Sequence, residues 1–286
     1  MDRKLAQLMK YGLPFAERAR DLPPVGYPRD FMRDDIARTD EWCGLTNIVA
    51  RLQKDPFPIP HSENRELYCG DDHLHYWMTG LSDYDKVTET IRPYGLEGGR
   101  FYDFGGGTGR VFRHFAAQSS TWEVWSSDFR LSSVDWNLRH YPTSIKTFAN
   151  IGTPALPLPD GYFDLVTAYS VFTHIDEFEL PWLLELRRIL RPGGIAYLSF
   201  HDEETWRVDE RVRGLVTSAN GWEADAPLPQ GKTVGVWRED DPYNCNVFQT
   251  RDYIDRVWGR FFDILEVRPL ELGAQAVAVC RRPLDR

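Results

Sequence analysis

The sequence predicts an α/β fold: a mostly parallel sheet covered by helices, ending in an antiparallel hairpin and preceded by a helical cap. Three observations carry this. Short apolar runs alternate with helical patterns from Arg100 onward, as strands and crossover helices do. The run RFYDF passes directly into a glycine-rich turn, FGGGTGR, and then into a helical pattern. The last two strand candidates, FDILEVRPL and AQAVAVCRR, are only a few residues apart, whereas a parallel crossover needs a dozen or more.

In chain order, residues 1–60 hold amphipathic helical stretches broken by the Pro-rich connectors DLPPVGYPRD and DPFPIP. Residues 66–99 suggest one or two further helices, so residues 1–99 read as a helical extension or cap and 100–286 as the main domain. There RFYDF is a strand and RVFRHFAAQ a helix from about Arg110. WEVWSSD is a strand, LSSVDWNLRHY a helix, and IKTFANI and FDLVTAYS are strands. EFELPWLLELRRIL is a helix stopped at Arg191-Pro192-Gly193-Gly194, and GIAYLSFH is the next strand. Residues 202–249 read as an irregular insertion over the carboxyl ends of the strands, where ligands of open α/β sheets bind. TRDYIDRVWGRFF then reads as a helix before the hairpin.

Composition narrows the partners. The net charge is −9, from 34 basic and 43 acidic residues, without a basic run, which argues against a nucleic-acid partner. No apolar stretch is long enough to span a membrane, and the charged N-terminal pattern is not that of a signal peptide. The scattered Cys43, Cys69, Cys245 and Cys280 fit neither a zinc site nor a disulfide framework, so a reducing cytoplasm is the expected setting.

The glycine turn is the feature that bears on function. Glycines between a strand and a helix let backbone approach a ligand closely, and the helix start offers N–H donors. An isolated turn of this kind is equally a turn without a ligand. The surroundings point to a nucleotide-type cofactor. Asp103 precedes the glycines, no Gly-Lys-Ser/Thr follows, and Asp128 closes the second strand about 20 residues on, where a carboxylate accepts from ribose hydroxyls.

Together, DFGGGTGR, SSDF at 126–129, LPLPDGYFDLVTAYSVFTHI and LLELRRILRPGGIAYLSF resemble the ordered motifs of class I S-adenosylmethionine-dependent methyltransferases, over roughly Phe101 to Arg282. The resemblance implies a Rossmann-like methyltransferase fold and S-adenosyl-L-methionine as cofactor. SVFTH, WLLELRRILRPGG and YIDRVWGRFFDILE look like a narrower subgroup associated with polysaccharide or glycolipid assembly, which implies a glycan or other small-molecule acceptor methylated at oxygen. HYWMTGLSDYDKV looks like the helix closing over the methionine end of the cofactor, which makes Tyr76 a lid contact, with a core residue the alternative.

On this reading Gly105, Gly107 and Gly109 belong to the first motif, with Gly105 and Gly107 passing beneath the cofactor. Asp103 either organises the loop or meets the methionine ammonium. Asp128 binds ribose, or caps the next helix. Phe129 stacks on adenine or is a core residue. Asn150 and Ile151 read the adenine edge or sit in a plain loop. Tyr169 and Ser170 lie beside the transfer site. His174 is the expected base and His201, ending the fifth strand, the acceptor-orienting group. No metal is required. Asp202, Glu203 and Glu204 read as a solvated run, and His73 and His75 lack further ligands. Trp206, Trp222 and Trp237 are either a sugar platform or a satellite core. A nicotinamide-dependent oxidoreductase is disfavoured by Asp103 and the hairpin; a non-catalytic methyltransferase-like binding subunit is disfavoured by the intact turn. The oligomeric state stays open.

Overall fold

The computed structural model describes residues 45–236 and 245–284, in two compact units that divide at Gly152/Thr153. The division does not fall at residue 99. Residues 45–99 pack within the same unit as the glycine turn, while Trp237 and residues 1–44 lie outside the described residues.

The first unit contains α1 (Ile48–Lys54), α2 (His73–Ile91), β1 (Gly99–Phe104), α3 (Phe112–Gln118), β2 (Trp122–Asp128), α4 (Leu131–His140) and β3 (Lys146–Ala149). Apolar residues at helical spacing on α2, namely Leu74, Trp77, Met78 and Leu81, meet Leu45, Ile48, Leu52 and Ile59 in one buried cluster. Asp72 caps α2 by accepting the His75 N–H at 2.8 Å, a device worth about 0.5–2 kcal/mol. The helix gives way to a short turn at Arg92–Tyr94, where Pro93 cannot continue it. β1 and β2 pair in parallel, as do β2 and β3. β1 is buried from Phe101 to Phe104 because its two faces are both covered.

A buried ion pair ties the extension to α3. Arg113 donates to both Asp55 oxygens, at 2.7 and 3.1 Å, and to the carbonyls of Phe57 and Pro58. Trp77 Nε1 donates to the same carboxylate at 2.7 Å. Burial opposes the Asp55 charge, but the Arg113 guanidinium outweighs it and holds the carboxyl below its ordinary range.

The second unit contains β4 (Phe163–Ala168), α5 (Glu179–Ile189), β5 (Leu190–Phe200), α6 (Glu203–Val208), α7 (Glu210–Ala219), β6 (Lys232–Val236), β7 (Cys245–Gln249), α8 (Arg251–Val257), β8 (Asp263–Leu272) and β9 (Gln275–Arg281). β4 and β5 are parallel; β9 joins β5 antiparallel and β8 joins β9 antiparallel, the expected terminal hairpin. α5 ends at Ile189, two residues before the residue that Pro192 forces out of helical geometry.

The expected irregular insertion is a correction. Residues 202–249 contain α6, α7 and an antiparallel β6–β7 pair. β7 runs beside the end of β5, where the Gln249 N–H donates to the His201 carbonyl at 2.9 Å. No described helix is long and apolar enough to cross a membrane.

Candidate functional site

In the first unit the glycine turn is fastened from both sides. Gly105 and Gly106 donate their N–H groups to the Ser127 carbonyl at 2.9 and 3.0 Å. On the other side Asn137 Nδ2 donates to the Gly107 carbonyl at 2.7 Å, and the Tyr141 hydroxyl to the Thr108 carbonyl at 3.1 Å. Gly107 has φ +54°, and a Cβ built there would meet no atom within 4 Å. That is a backbone surface open to close approach by a ligand. Gly109 differs. Its Cβ would stand 2.3 Å from the Tyr141 hydroxyl oxygen and 2.7 Å from Phe112 Cζ, so this glycine serves close packing within the turn. Asp103 is buried, with its Oδ2 3.1 Å from the Cβ position of Gly106, which sets the carboxylate against the turn.

Asp128 closes β2 with its carboxylate held by backbone. Oδ2 accepts the Gly107 N–H at 2.9 Å and Oδ1 the Arg130 N–H at 2.8 Å. Its side chain makes no cap for α4, whose N-cap is Arg130. A carboxylate has about four acceptor positions, so two backbone bonds leave room for the paired hydroxyls of a ribose. Burial raises its pKa, against the hydrogen bonds from Arg130 and Gly107 that favour the charge.

The neighbouring residues divide. Phe129 is 44% and Ile151 59% exposed, so neither is a core residue; both are apolar surface at the end of the sheet. Asn150 is buried and oriented: its Oδ1 accepts from Ser127 Oγ at 2.9 Å, and its N–H donates to the Asp128 carbonyl at 3.0 Å. Tyr76 is 2% exposed within the α2 cluster, with Arg65 over its ring, and its hydroxyl faces Thr108 of the turn at 3.4 Å.

In the second unit the expected acceptor residues gather at the ends of β4 and β5. Tyr169 is half-buried and Ser170 exposed. Ser170 has φ +55°, a strained state for a residue with a side chain. Its N–H donates to Ser199 Oγ at 2.7 Å; Ser199 Oγ donates to Gln275 Oε1 at 2.8 Å; Gln275 Nε2 donates to Ser170 Oγ at 2.9 Å. His174 Nδ1 lies 2.7 Å from the Cys245 carbonyl, and Cys245 Sγ donates back to the His174 carbonyl at 3.2 Å. A carbonyl only accepts, so Nδ1 carries the proton and Nε2 is the basic atom.

His201, at the end of β5, is 4% exposed and packs on the Phe248 ring at 4.9 Å. Burial, and then the nearby His174, push its pKa down to about 3, so it is neutral near pH 7. Its Nδ1 has no partner among the described residues. Trp206 is also not a platform: it is buried with Val212, Val216 and Phe248, a satellite core, while Trp222 is partly exposed. Asp202 caps α6 through a reciprocal pair with Thr205, and Glu203 accepts the Arg251 N–H. Among the described residues no group of three or more His, Cys, Asp or Glu is placed to hold a metal ion.

The structure adds residues that sequence reasoning missed. Asn137 and Tyr141 lock the turn from 30 and 33 residues away, and Gln275 reaches Ser170 across 105. Only Gln275 carried a signal, as an isolated polar residue opening an apolar final strand.

Comparison with known proteins agrees with this geometry. A family model described as a methyltransferase domain matches residues 102–198. The ubiquinone/menaquinone biosynthesis C-methyltransferase UbiE of Cupriavidus metallidurans is 33% identical over 128 residues, covering 42% of this chain and 49% of the relative. Its counterpart from Cupriavidus necator is 32% identical over 186 residues, covering 63% of this chain and 67% of the relative. The chain spans about half the length of the first of these curated relatives. The crystal structure of a SAM-dependent methyltransferase from Methanosarcina mazei superposes with a TM-score of 0.51 at 18% identity, covering 68% of this chain and 98% of the other.

Proposed function

Because the chain belongs to the class I S-adenosylmethionine-dependent methyltransferases, we propose that it transfers a methyl group to a small acceptor bearing an ionisable hydroxyl, with His174 as base. The observation that carries the cofactor half is the Asp128 carboxylate, held by two backbone N–H groups with acceptor positions left for a ribose diol. Gly105 and Gly107 give close approach, Phe129 and Ile151 supply apolar contact for adenine, Asn150 offers an oriented amide, and Asp103 organises the turn. Tyr169, at the end of β4, is assigned to the methionine end.

The bound cofactor supplies an electrophilic methyl on a sulfonium, displaced in line. Holding acceptor and donor in that pose is worth about 7–11 kcal/mol of the barrier. His174 Nε2 takes the hydroxyl proton, leaving an oxyanion. With the cofactor bound, that oxygen, or a ring carbon conjugated to it, would be the nucleophile for the methyl group, and the cofactor would be left as the neutral thioether. Neutral His201 and the Ser170–Gln275 pair orient the acceptor.

Carbon is favoured as the acceptor atom. The two relatives carry names for C-methylation in ubiquinone and menaquinone biosynthesis, and a hydroxylated ring meets the same requirement for a base. The sugar-hydroxyl reading loses Trp206, which is buried. The test is calorimetry of the full chain with S-adenosylhomocysteine, then labelled methyl transfer to a panel of quinols, catechols and sugars. Asp128→Ala should weaken binding about 10- to 150-fold. His174→Ala should keep binding and lose about 10²- to 10⁴-fold in transfer rate. Unchanged binding by Asp128→Ala would remove the site assignment.

A further inference from the structure

Arg130 sits two residues after Asp128 and touches two carboxylates in different ways. Its backbone N–H donates to Asp128 Oδ1 at 2.8 Å, while its side-chain Nε lies 2.7 Å from Glu66 Oε1, 64 residues earlier in the chain. Glu66 occupies a left-handed backbone state, φ +56°, in a segment where Leu67 and Cys69 share that region at +61°. A glutamate with its Cβ is unfavourable there, and glycine or asparagine is the ordinary occupant. The segment is nevertheless held in shape, since Arg65 donates to the carbonyls of Pro60 and Gly70 and lies over the Tyr76 ring at 4.6 Å. The carboxylate of Glu66 is thus delivered to Arg130 by a braced turn.

The ion pair is a poor anchor. Its side chains are 47% and 36% exposed, the range in which such pairs contribute little to folding. Its value lies in where it keeps the guanidinium. A guanidinium forks onto a carboxylate with two parallel bonds, and Arg130 already acts electrostatically on Asp128. On Asp128 it would occupy the acceptor positions that the ribose diol needs.

We propose that Glu66 is a positioning residue that holds the Arg130 guanidinium away from Asp128 and so keeps the cofactor's ribose-binding carboxylate open. The inference rests on the assignment of Asp128 to ribose. Without Glu66, Arg130 competes with the cofactor for that carboxylate, so the loss in affinity comes from Arg130 itself.

The test is a double-mutant cycle read by calorimetry with S-adenosylhomocysteine on the full chain. Glu66→Ala should weaken binding about tenfold, the scale of one charge-assisted hydrogen bond. Arg130→Ala should stay within about twofold of the parent, and Glu66→Ala with Arg130→Ala together should return to the Arg130→Ala value. Glu66→Asp, which keeps the charge, should recover part of the loss. Thermal unfolding without ligand should be unchanged in all four variants. If both single variants weaken binding alike and the double variant is no better, the pair is an anchor for the turn and the inference falls. If the parent binds and Glu66→Ala binds equally well, the inference falls alone. A parent chain that binds no S-adenosylhomocysteine removes the ribose assignment and this inference with it.

Discussion

The two units hold their candidate residues by different means. In the first, side chains are fixed by backbone: Asp128 by the N–H groups of Gly107 and Arg130, the turn by Asn137 and Tyr141 on its carbonyls. In the second, Ser170, Ser199 and Gln275 also hold one another, side chain to side chain, and His174 leans on β7. The N–H groups that hold Asp128 come with the strand-to-helix turn itself. Side-chain partners must be supplied separately, one residue at a time. The first arrangement suits recognition of one invariant cofactor, and the second can be retuned for an acceptor.

The buried charges sharpen this contrast. Asp55 and Arg113 are both 1% exposed and satisfy each other with additional backbone carbonyls. Glu179 in the second unit is equally buried, but it is shared among Trp258, Tyr253 and Lys232, and Lys232 is 19% exposed. Arg113→Ala leaves a buried carboxylate alone and should cost about 3–5 kcal/mol, measured by urea unfolding. Lys232→Ala should cost clearly less, because two neutral donors remain on Glu179. Equal losses would break the contrast.

Acid acts alike on one buried histidine in each unit. His114 in the first unit and His201 in the second are each pushed down to about 3, with burial the largest cause in both. The unfolded chain binds a proton to histidine near pH 6.5 and the folded chain does not. Stability is therefore full above about pH 6.5 and falls as pH drops towards 3. At pH 5 each histidine should cost about 2 kcal/mol. His114 Nε2 donates to the Trp77 carbonyl at 3.1 Å and His201 bonds the Val247 backbone, so either substitution also removes a hydrogen bond. With His201→Leu the fall in unfolding free energy between pH 7 and 5 should shrink by about 2 kcal/mol. An unchanged slope would show that His201 accepts its proton in the folded state.

What the sequence made legible follows the same division. Asp128 and the glycines were readable because a strand-to-helix turn fixes their spacing, and the terminal hairpin because its loop, Gly273-Ala274, is too short for a crossover. The depth of Tyr76 was not legible, because a helical pattern says which face is buried but not against what; the cluster it joins includes Ile48, Leu52 and Ile59, from earlier in the chain. Residues 202–249 looked irregular because β6 and β7 are five residues each and eight residues separate Val236 from Cys245, too many for a hairpin signal. Gly109 and Gly107 are indistinguishable in sequence; only the Tyr141 hydroxyl beside one and open space beside the other separates them.

The smallest predicted effect falls on the second unit's network, and it decides whether that network serves the acceptor or only the fold. Gln275→Ala removes a hydrogen bond to Ser170 Oγ, a longer one from it at 3.2 Å, and one from Ser199. Both partners keep other contacts: Ser170 Oγ is exposed to water, and Ser199 still accepts the Ser170 N–H. The loss of folding stability should therefore be about 1 kcal/mol. S-adenosylhomocysteine affinity, which the proposed function assigns to Asp128 and the glycine turn, should not change. If Ser170 orients the acceptor, the variant should raise KM for a methylated quinol or catechol several-fold while kcat changes less, since a loosely held hydroxyl weakens binding before it alters the displacement. A fall in kcat with KM unchanged would move Gln275 from acceptor binding to the transition state, and no change in either would leave the network a brace for the strained Ser170 backbone.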